Sequence, residues 1–243
     1  MISLRKGRYA ARAARSEDDI AAVQSLRQGR FRSGAAPDLD AFDEQCHHIL
    51  IEEIKTGVPV CCFRLLSLKS GAQINKSYSS QYYDLERLSG FGGVMAEMGR
   101  FCIHPDYTDP DILRVAWGAM TRYVDENGVE MLFGCSSFQG TEAEEYYDTF
   151  ALLRDRHLAP NRFLPHIKTP ENFRFAQRLK RKPDAKRAMK TMPPLLRSYL
   201  VMGGWVSDHA VVDRDLNTLH VFTGLEISAI PPARARLLRM GAR

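Results

Sequence analysis

Two charged residues, Glu97 and Arg100, interrupt an apolar run at residues 95–103 that otherwise reads as a buried strand. Burying a charge without a partner is costly, so these side chains must pair, meet solvent in a cleft, or do both. A carboxylate at the wall of such a cleft can take up a proton, which makes Glu97 a candidate general base. Burial would raise its pKa while Arg100 would lower it, and the balance is left open. The competing reading is a Glu/Arg pair that only fixes sheet register. On a regular strand positions i and i+3 face opposite ways, but a bulge at Gly99 would re-aim one of them. Backbone N–H groups of a bulged strand around residues 98–101 would suit the oxyanion of a tetrahedral intermediate.

Upstream stand Arg27 and Phe31 at the end of a helical pattern, Asp40 and Asp43 in a loop, and Arg64 inside an apolar strand. Arginine fits a carboxylate through two parallel hydrogen bonds, and aspartate fits a cation, but each of these residues is unremarkable alone. Which partner each takes is open, and Asp40 and Asp43 alone would read as solvated loop and cap residues. Downstream, Arg178, Arg181, Lys182, Lys186 and Arg187 lie in a basic segment with Phe173, Phe175 and Leu179 interleaved. That segment reads as a solvated helix face, a dock for an acidic carrier protein, or a contact with anionic lipid. No nucleic-acid recognition motif accompanies the charge, so no nucleic-acid partner is expected.

The elements that must position these residues follow from periodicity and caps. A strand at 9–14 precedes Ser16, which has an acid at N3 and Ile20, Val23 and Leu26 at helical spacing behind it. Apolar runs at 48–51 and 58–66 flank Thr56-Gly57 and read as an antiparallel hairpin. Residues 69–93 are rich in Ser, Tyr and Gly, and the pattern predicts a short helix at 81–87 there. A helix with an Asp cap is expected over 109–126, a strand over 129–136, and a helix over 142–154. Residues 157–190 are basic and broken by proline. A short apolar helix at 193–204 and strands at 205–210 and 219–227 close the chain. The order implies a mixed sheet with helices on its faces, and it lacks the glycine turn of a dinucleotide-binding fold.

The chain has 243 residues, 44% of them hydrophobic and 26% charged, with a net charge of +5. This composition suits a folded globular protein with an acidic partner. Its five cysteines have no CxxC spacing and read as reduced core residues, and neighbours such as Cys46, His47 and His48 alternate faces on a strand, so no metal is expected. The first 15 residues lack the apolar core of a secretory signal, and no stretch approaches the ~20 apolar residues of a membrane span. The expected location is the cytoplasm, with a peripheral contact to the inner face of the cytoplasmic membrane open to it.

The order of these residues carries more than any one of them. The series Leu26-Arg27-x-x-Arg30-Phe31, Asp40-x-Phe42-Asp43-x-x-Cys46-His47-His48-Ile49-Leu50, Phe63-Arg64-Leu65-Leu66, Tyr83-Asp84-Leu85 and Glu97-x-Gly99-Arg100-x-Cys102-x-His104-Pro105 resembles the bacterial L-ornithine N-alpha-acyltransferases. Those enzymes make lyso-ornithine lipid from ornithine and a 3-hydroxyacyl carrier protein. The resemblance continues through Gly134-Cys135-Ser136-Ser137-Phe138, residues 193–200 and residues 203–208, so it covers nearly the whole chain. Acyl-homoserine lactone synthases are similar at Arg27, Phe31, Asp40, Asp43, Arg64, Glu97 and Arg100.

This resemblance implies an α/β (α+β) GNAT-like fold with a mixed, mostly antiparallel central sheet flanked by helices. It implies one domain over 1–243, with a basic helical insertion at about 157–192 and a closing segment 193–243. It further implies Glu97 as the catalytic group and Arg27, Phe31, Asp40, Asp43, Arg64, Arg100 and Ser136 as substrate contacts. The implied partners are acyl carrier protein and L-ornithine, with an anionic inner-membrane surface as a further contact. No cofactor is bound beyond the 4'-phosphopantetheine that the carrier brings. The rival readings are an acyl-homoserine lactone synthase-like enzyme and a non-enzymatic, hemolysin-like membrane-binding protein. One departure bears on the donor. Where acetyl-CoA enzymes of this fold cradle a pyrophosphate at a helix N-terminus, this chain reads Pro105-Asp106-Tyr107-Thr108-Asp109-Pro110-Asp111, whose acids and prolines oppose an anion.

Overall fold

The computed structural model describes residues 3–31 and 38–242. In chain order its elements are β1 (Ser3–Lys6), β2 (Tyr9–Ala13), α1 (Glu17–Phe31), β3 (His47–Glu53), β4 (Pro59–Leu68), β5 (Tyr83–Asp84), β6 (Val94–Ile103), α2 (Pro110–Asn127), β7 (Val129–Gln139), α3 (Tyr147–Arg156), β8 (His166–Ile167), β9 (Asn172–Phe173), α4 (Phe175–Arg178), α5 (Ala185–Thr191), α6 (Pro194–Val201), β10 (Trp205–Asp213), β11 (Thr218–Glu226) and α7 (Pro232–Gly241). They fall into two compact units. One is formed by the chain up to Ser67, by Ala96–Glu130 and by the segment from Pro231 on; the other by Leu68–Met95 and Met131–Ile230.

The first unit carries strands in the order β1-β2-β3-β4-β6, with the β1/β2, β2/β3 and β3/β4 pairs antiparallel. Its helices start where the sequence says they should. Ser16 Oγ accepts from Asp19 N at 3.2 Å while an Asp19 carboxylate oxygen accepts from Ser16 N at 3.3 Å, a reciprocal cap at the head of α1. At the head of α2, Asp109 Oδ1 accepts from Asp111 N at 2.9 Å, and Gly128 ends the helix at φ +59, a left-handed position that glycine takes without a Cβ clash. Val23 and Leu26 of α1 pack against Leu50, Cys62 and Cys102 of the strands, and all five are buried. The six α2 residues expected on its inner face, Ile112, Val115, Ala116, Ala119, Met120 and Tyr123, are buried too. Strand β1 is an addition to the sequence reading. Only Leu4 of its four residues is buried, so its pattern carries no core signal, and pairing with β2 is what makes it a strand.

The second unit orders its strands β7-β11-β10-β9, all antiparallel, and holds a separate β5/β8 pair. Its core joins Phe138, Phe150, Phe173 and Phe175 to Leu196, Val206 and Val221. The helix expected at 81–87 is corrected. A 3-10 turn at Ser79–Gln81, strand β5 and a second 3-10 turn at Glu86–Leu88 occupy that stretch. The cause is local polar chemistry: Ser80 Oγ donates to Ser77 O at 2.7 Å, and Asp84 Oδ1 accepts from Glu86 N at 3.1 Å, so side chains take backbone partners that a helix would need. The basic stretch 157–192 is helical only at α4 and α5, and it contributes β8 and β9 as well. Prolines at 160, 165, 170 and 183 punctuate it and prevent one continuous helix.

Candidate active site

Three arginines and three aspartates of the first unit close into a ring. Arg27 Nε donates to Asp38 Oδ2 at 2.8 Å, and Arg100 Nε donates to the same oxygen at 2.9 Å. Arg100 Nη2 reaches Asp40 Oδ2 at 3.0 Å, and Arg64 grips Asp40 with two bonds, Nη1 to Oδ1 at 2.6 Å and Nη2 to Oδ2 at 2.8 Å. Arg64 Nη1 also donates to Asp43 Oδ1 at 2.6 Å, and Arg27 closes the circuit with Nη1 on Asp43 Oδ1 at 2.6 Å and Nη2 on Asp43 Oδ2 at 3.2 Å. Each arginine lies between two aspartates and each aspartate between two arginines. Such an alternation is how six charges tolerate removal from water.

Separate elements deliver the members. Helix α1 supplies Arg27, β4 supplies Arg64, β6 supplies Arg100, and the loop before β3 supplies the acids. That loop is pinned by its own side chains. Phe42 N donates to Asp40 Oδ1 at 3.0 Å, Asp40 N donates to Asp43 Oδ2 at 3.2 Å, and Asp43 N donates to Asp40 O at 3.1 Å. His48 Nε2 donates to Asp43 O at 2.9 Å, and burial lowers the pKa of this histidine. For Asp43 burial pushes the carboxyl up, but Arg27 and Arg64 outweigh it and hold it at about 2. Asp38 is likewise lowered, with burial overcome by Arg100 and Arg27. Arg64 is raised, because Asp40 and Asp43 prevail over its desolvation and over the opposing charge of Arg100.

Exposure separates the members. The side chains of Arg27, Asp38, Asp43, Arg64 and Arg100 are at most 7% exposed, whereas Asp40 is 20% exposed. Asp40 is the ring's opening to the outside. Arg27, Asp43 and Arg64, expected among the substrate contacts, are enclosed in the ring. Asp38 is the member that the sequence reading leaves out. No local signal marks it, since it stands in a Gly/Ala/Pro/Asp loop where acids read as turn residues.

Strand β6 brings Glu97 to the same neighbourhood. Arg100 has φ +51, a left-handed conformation that costs a non-glycine residue on the order of 1 kcal/mol and breaks the strand's alternation. The irregularity expected at Gly99 thus falls one residue later. Gly99 lies against the ring, since a Cβ there would be in ordinary contact with Arg64 Nε at 3.5 Å. Glu97, two residues earlier on the same side of the strand, is 4% exposed. Its charge reaches Cys46, whose thiol is pushed up to about 11 by burial and further by Glu97, against Arg64. Phe31 ends α1, and its side chain lies outside the described residues.

The start of α2 is closed to an anionic ligand by this chain's own carboxylate. Asp109 Oδ1 takes the Asp111 N–H, and Asp109 Oδ2 accepts from Tyr9 Oη at 3.0 Å. The helix end that would cradle a pyrophosphate therefore presents a negative charge.

In the second unit, Ser136 of β7 is buried, and its hydroxyl accepts from Thr223 Oγ1 at 2.9 Å. The basic candidates are exposed around α4 and α5. Arg178 lies over the Phe173 ring at 5.8 Å, Arg181 pairs with Asp148 at 2.5 Å, Arg187 stands 3.9 Å from the same carboxylate, and Lys182 and Lys186 face outward. Among the described residues no group of three or more His, Cys, Asp or Glu is placed to hold a metal, and no helix is long and apolar enough to cross a membrane.

A family model described as an acetyltransferase (GNAT) domain matches residues 24–118, the span that contains the whole ring and Glu97. An L-ornithine N(alpha)-acyltransferase from Rhodobacter capsulatus is 32% identical to this chain, covering 91% of each. The chain belongs to the L-ornithine N(alpha)-acyltransferase family. The Brucella abortus L-ornithine N(alpha)-acyltransferase is 28% identical, over 92% of this chain and 87% of its own length. Among solved structures, FeeM, an N-acyl amino acid synthase from uncultured soil microbes, covers 91% of both chains with a TM-score of 0.51 at 11% identity, a likeness of fold. The family's GNAT fold, with mostly antiparallel strands flanked by helices, is the architecture that the sequence led us to expect.

Proposed function

We propose that this protein transfers a 3-hydroxyacyl group from acyl carrier protein to the α-amine of L-ornithine, giving lyso-ornithine lipid. The observation that carries the reading is a buried carboxylate, Glu97, set beside a closed Arg/Asp ring within a chain whose 32%-identical relative is an ornithine acyltransferase. Glu97 takes a proton from the acceptor ammonium, directly or through one water. The freed nitrogen attacks the thioester carbonyl, the C–N bond forms, and the C–S bond breaks with the thiolate leaving protonated. Backbone N–H groups of the irregular stretch around Arg100 are suited to the oxyanion.

The ring fixes this geometry and meets the acceptor at one edge. Asp40, its exposed member, suits the ornithine side-chain ammonium, and Arg64 and Arg100, which share Asp40, suit the acceptor carboxylate. Arg27, Asp38 and Asp43 hold those groups in place. Phe31 and Ser136 remain candidates for lining the substrate path. The carboxylate of Asp109 at the head of α2 supports a carrier-borne donor over free CoA, because phosphopantetheine on a protein brings no nucleotide pyrophosphate. The exposed cations of α4, α5 and the segment between them, Arg178, Arg181, Lys182, Lys186 and Arg187, suit the acidic carrier.

The test is acyl transfer with purified protein, comparing 3-hydroxyacyl carrier protein with 3-hydroxyacyl-CoA as donor and ornithine with S-adenosylmethionine as acceptor. Product should form with carrier and ornithine. Glu97→Gln should remain folded and turn over at least ~100-fold more slowly, the loss expected for a general base. Near-normal turnover in that variant would remove Glu97 from the role, and acylation of S-adenosylmethionine in place of ornithine would favour a homoserine-lactone-type synthase.

A further inference from the structure

Helix α7 is fastened to the fold by one side and turns an apolar ridge outward on the other. Its inner side lies on α2 of the same unit. Gly118 of α2 permits a close backbone approach there, since a Cβ at that position would lie 2.7 Å from Gly241 O. Arg239 locks the contact with two bonds to Asp125, each 3.0 Å. Ala242, just past the helix, is buried, and Ala235 and Leu238 are half-buried.

The outer side has a different composition. At ~100° per residue, Ala233, Leu237 and Met240 fall within about 60° of one another, with Arg236 on one flank and Arg234 on the other. Met240 is 62% exposed and Leu237 58%; among the described large apolar side chains the nearest to these are Leu39 at 61%, alone in a loop, and Val201 at 50%, alone at the end of α6. Helix α7 contains three arginines and no acid. Two large apolar side chains in register on one helix, bordered by arginines, are not what a solvated face requires. They are what a helix lying in the plane of an anionic bilayer surface uses, with apolar groups at the acyl boundary and guanidinium groups at the lipid phosphates.

We propose that α7 is a membrane-contact element that seats this protein on anionic lipid, with Leu237 and Met240 entering the interface and Arg234 and Arg236 meeting the headgroups. The basic surface of α4 and α5 is the weaker candidate for this contact. Its cations are accompanied by one half-exposed large apolar side chain, Met189, and Asp148 neutralises part of the charge. Charge without an apolar ridge fits a water-soluble acidic partner better than a bilayer. The contact stands without the proposed activity, but its use rests on that reading: an N-acyl amino acid with one long chain would be released where it can partition into lipid.

The test is co-sedimentation of the full chain with phosphatidylcholine vesicles, with and without phosphatidylglycerol. The protein should bind the anionic vesicles and bind the neutral ones weakly. Leu237→Gln combined with Met240→Gln should weaken vesicle binding on the order of tenfold, given the apolar area withdrawn from the interface. Lys186→Glu combined with Arg187→Glu should leave vesicle binding unchanged. Both double variants replace exposed side chains, and their unfolding transitions check that the fold is intact. The proposal is overturned if the wild-type chain stays in solution with anionic vesicles, or if the α5 pair and not the α7 pair abolishes binding. It is also overturned if Leu237→Gln with Met240→Gln dissolves a dimer seen by sedimentation without changing vesicle binding, which would make a second copy the occupant. Vesicle binding without acyl transfer to ornithine would sink the proposed function and leave this inference standing.

Discussion

The ring of the first unit and the basic surface of the second use the same residue types to opposite ends. In the ring, three arginines are buried and each lies between two aspartates. On α4, α5 and the segment between them, Arg178, Lys182, Lys186 and Arg187 are exposed, and a single acid, Asp148, answers Arg181 and Arg187. Burial makes the first set rigid, because any lost partner strands a charge in low dielectric. Exposure makes the second set available, since a solvated cation gives up little by changing partners. On the proposed function, one region would position and the other recruit.

Substitutions should separate the two. The largest effect on stability is expected from Arg27→Ala, which strands Asp38 and Asp43; urea unfolding should report a loss of about 3–5 kcal/mol. Acid should act on the same region. The folded-state pKa of Asp43, about 2, lies below its ordinary value of 3.8. Its contribution is therefore fully present above about pH 4 and is lost as pH falls through about 2, a span worth roughly 2 kcal/mol. Asp38 shifts in the same direction and adds to the effect, so unfolding free energy measured from pH 6 downward should fall steeply below pH 4. A flat profile would mean that the ring is not closed in solution. At the basic surface, Lys186→Glu with Arg187→Glu should raise KM for the carrier-borne donor by about tenfold and flatten its salt dependence, with kcat and stability kept. The smallest change should come from Arg178→Ala, which removes one exposed guanidinium from over the Phe173 ring and should cost under ~1 kcal/mol in thermal unfolding.

The elements around the ring were legible because their signals are local. Ser16 with Asp19 three residues on, the Asp109 cap, and six apolar residues at helical spacing each mark a helix without reference to the rest of the chain. Glu97 and Arg100 were legible as misfits in an apolar run. The ring's closure was not, because it joins residues from 27 to 100 through a loop whose acids look solvated until the fold wraps around them. Asp38 is the sharpest case: fully buried in the structure, it sits in the sequence among Gly, Ala, Pro and Asp, where nothing distinguishes it from a turn residue. Residues 79–88 failed for the opposite reason. Their serines and Asp84 satisfy the backbone one bond at a time, and such bonds leave no periodic trace. Helix α7 is not among the elements expected from the sequence, and none of its residues is fully buried, so no core-facing stripe marks it.

Closure of the ring has one more consequence. Three positive and three negative charges in alternation leave no net charge, so the potential they produce has no monopole and fades within a few ångströms. On the proposed reaction, a cationic amino acid approaching from solution would feel little pull from the ring at a distance and would be sorted on contact, by the geometry of Asp40 and the guanidinium groups behind it. The acceptor would thus be chosen by fit, while the surface cations would attract only an acidic donor at long range.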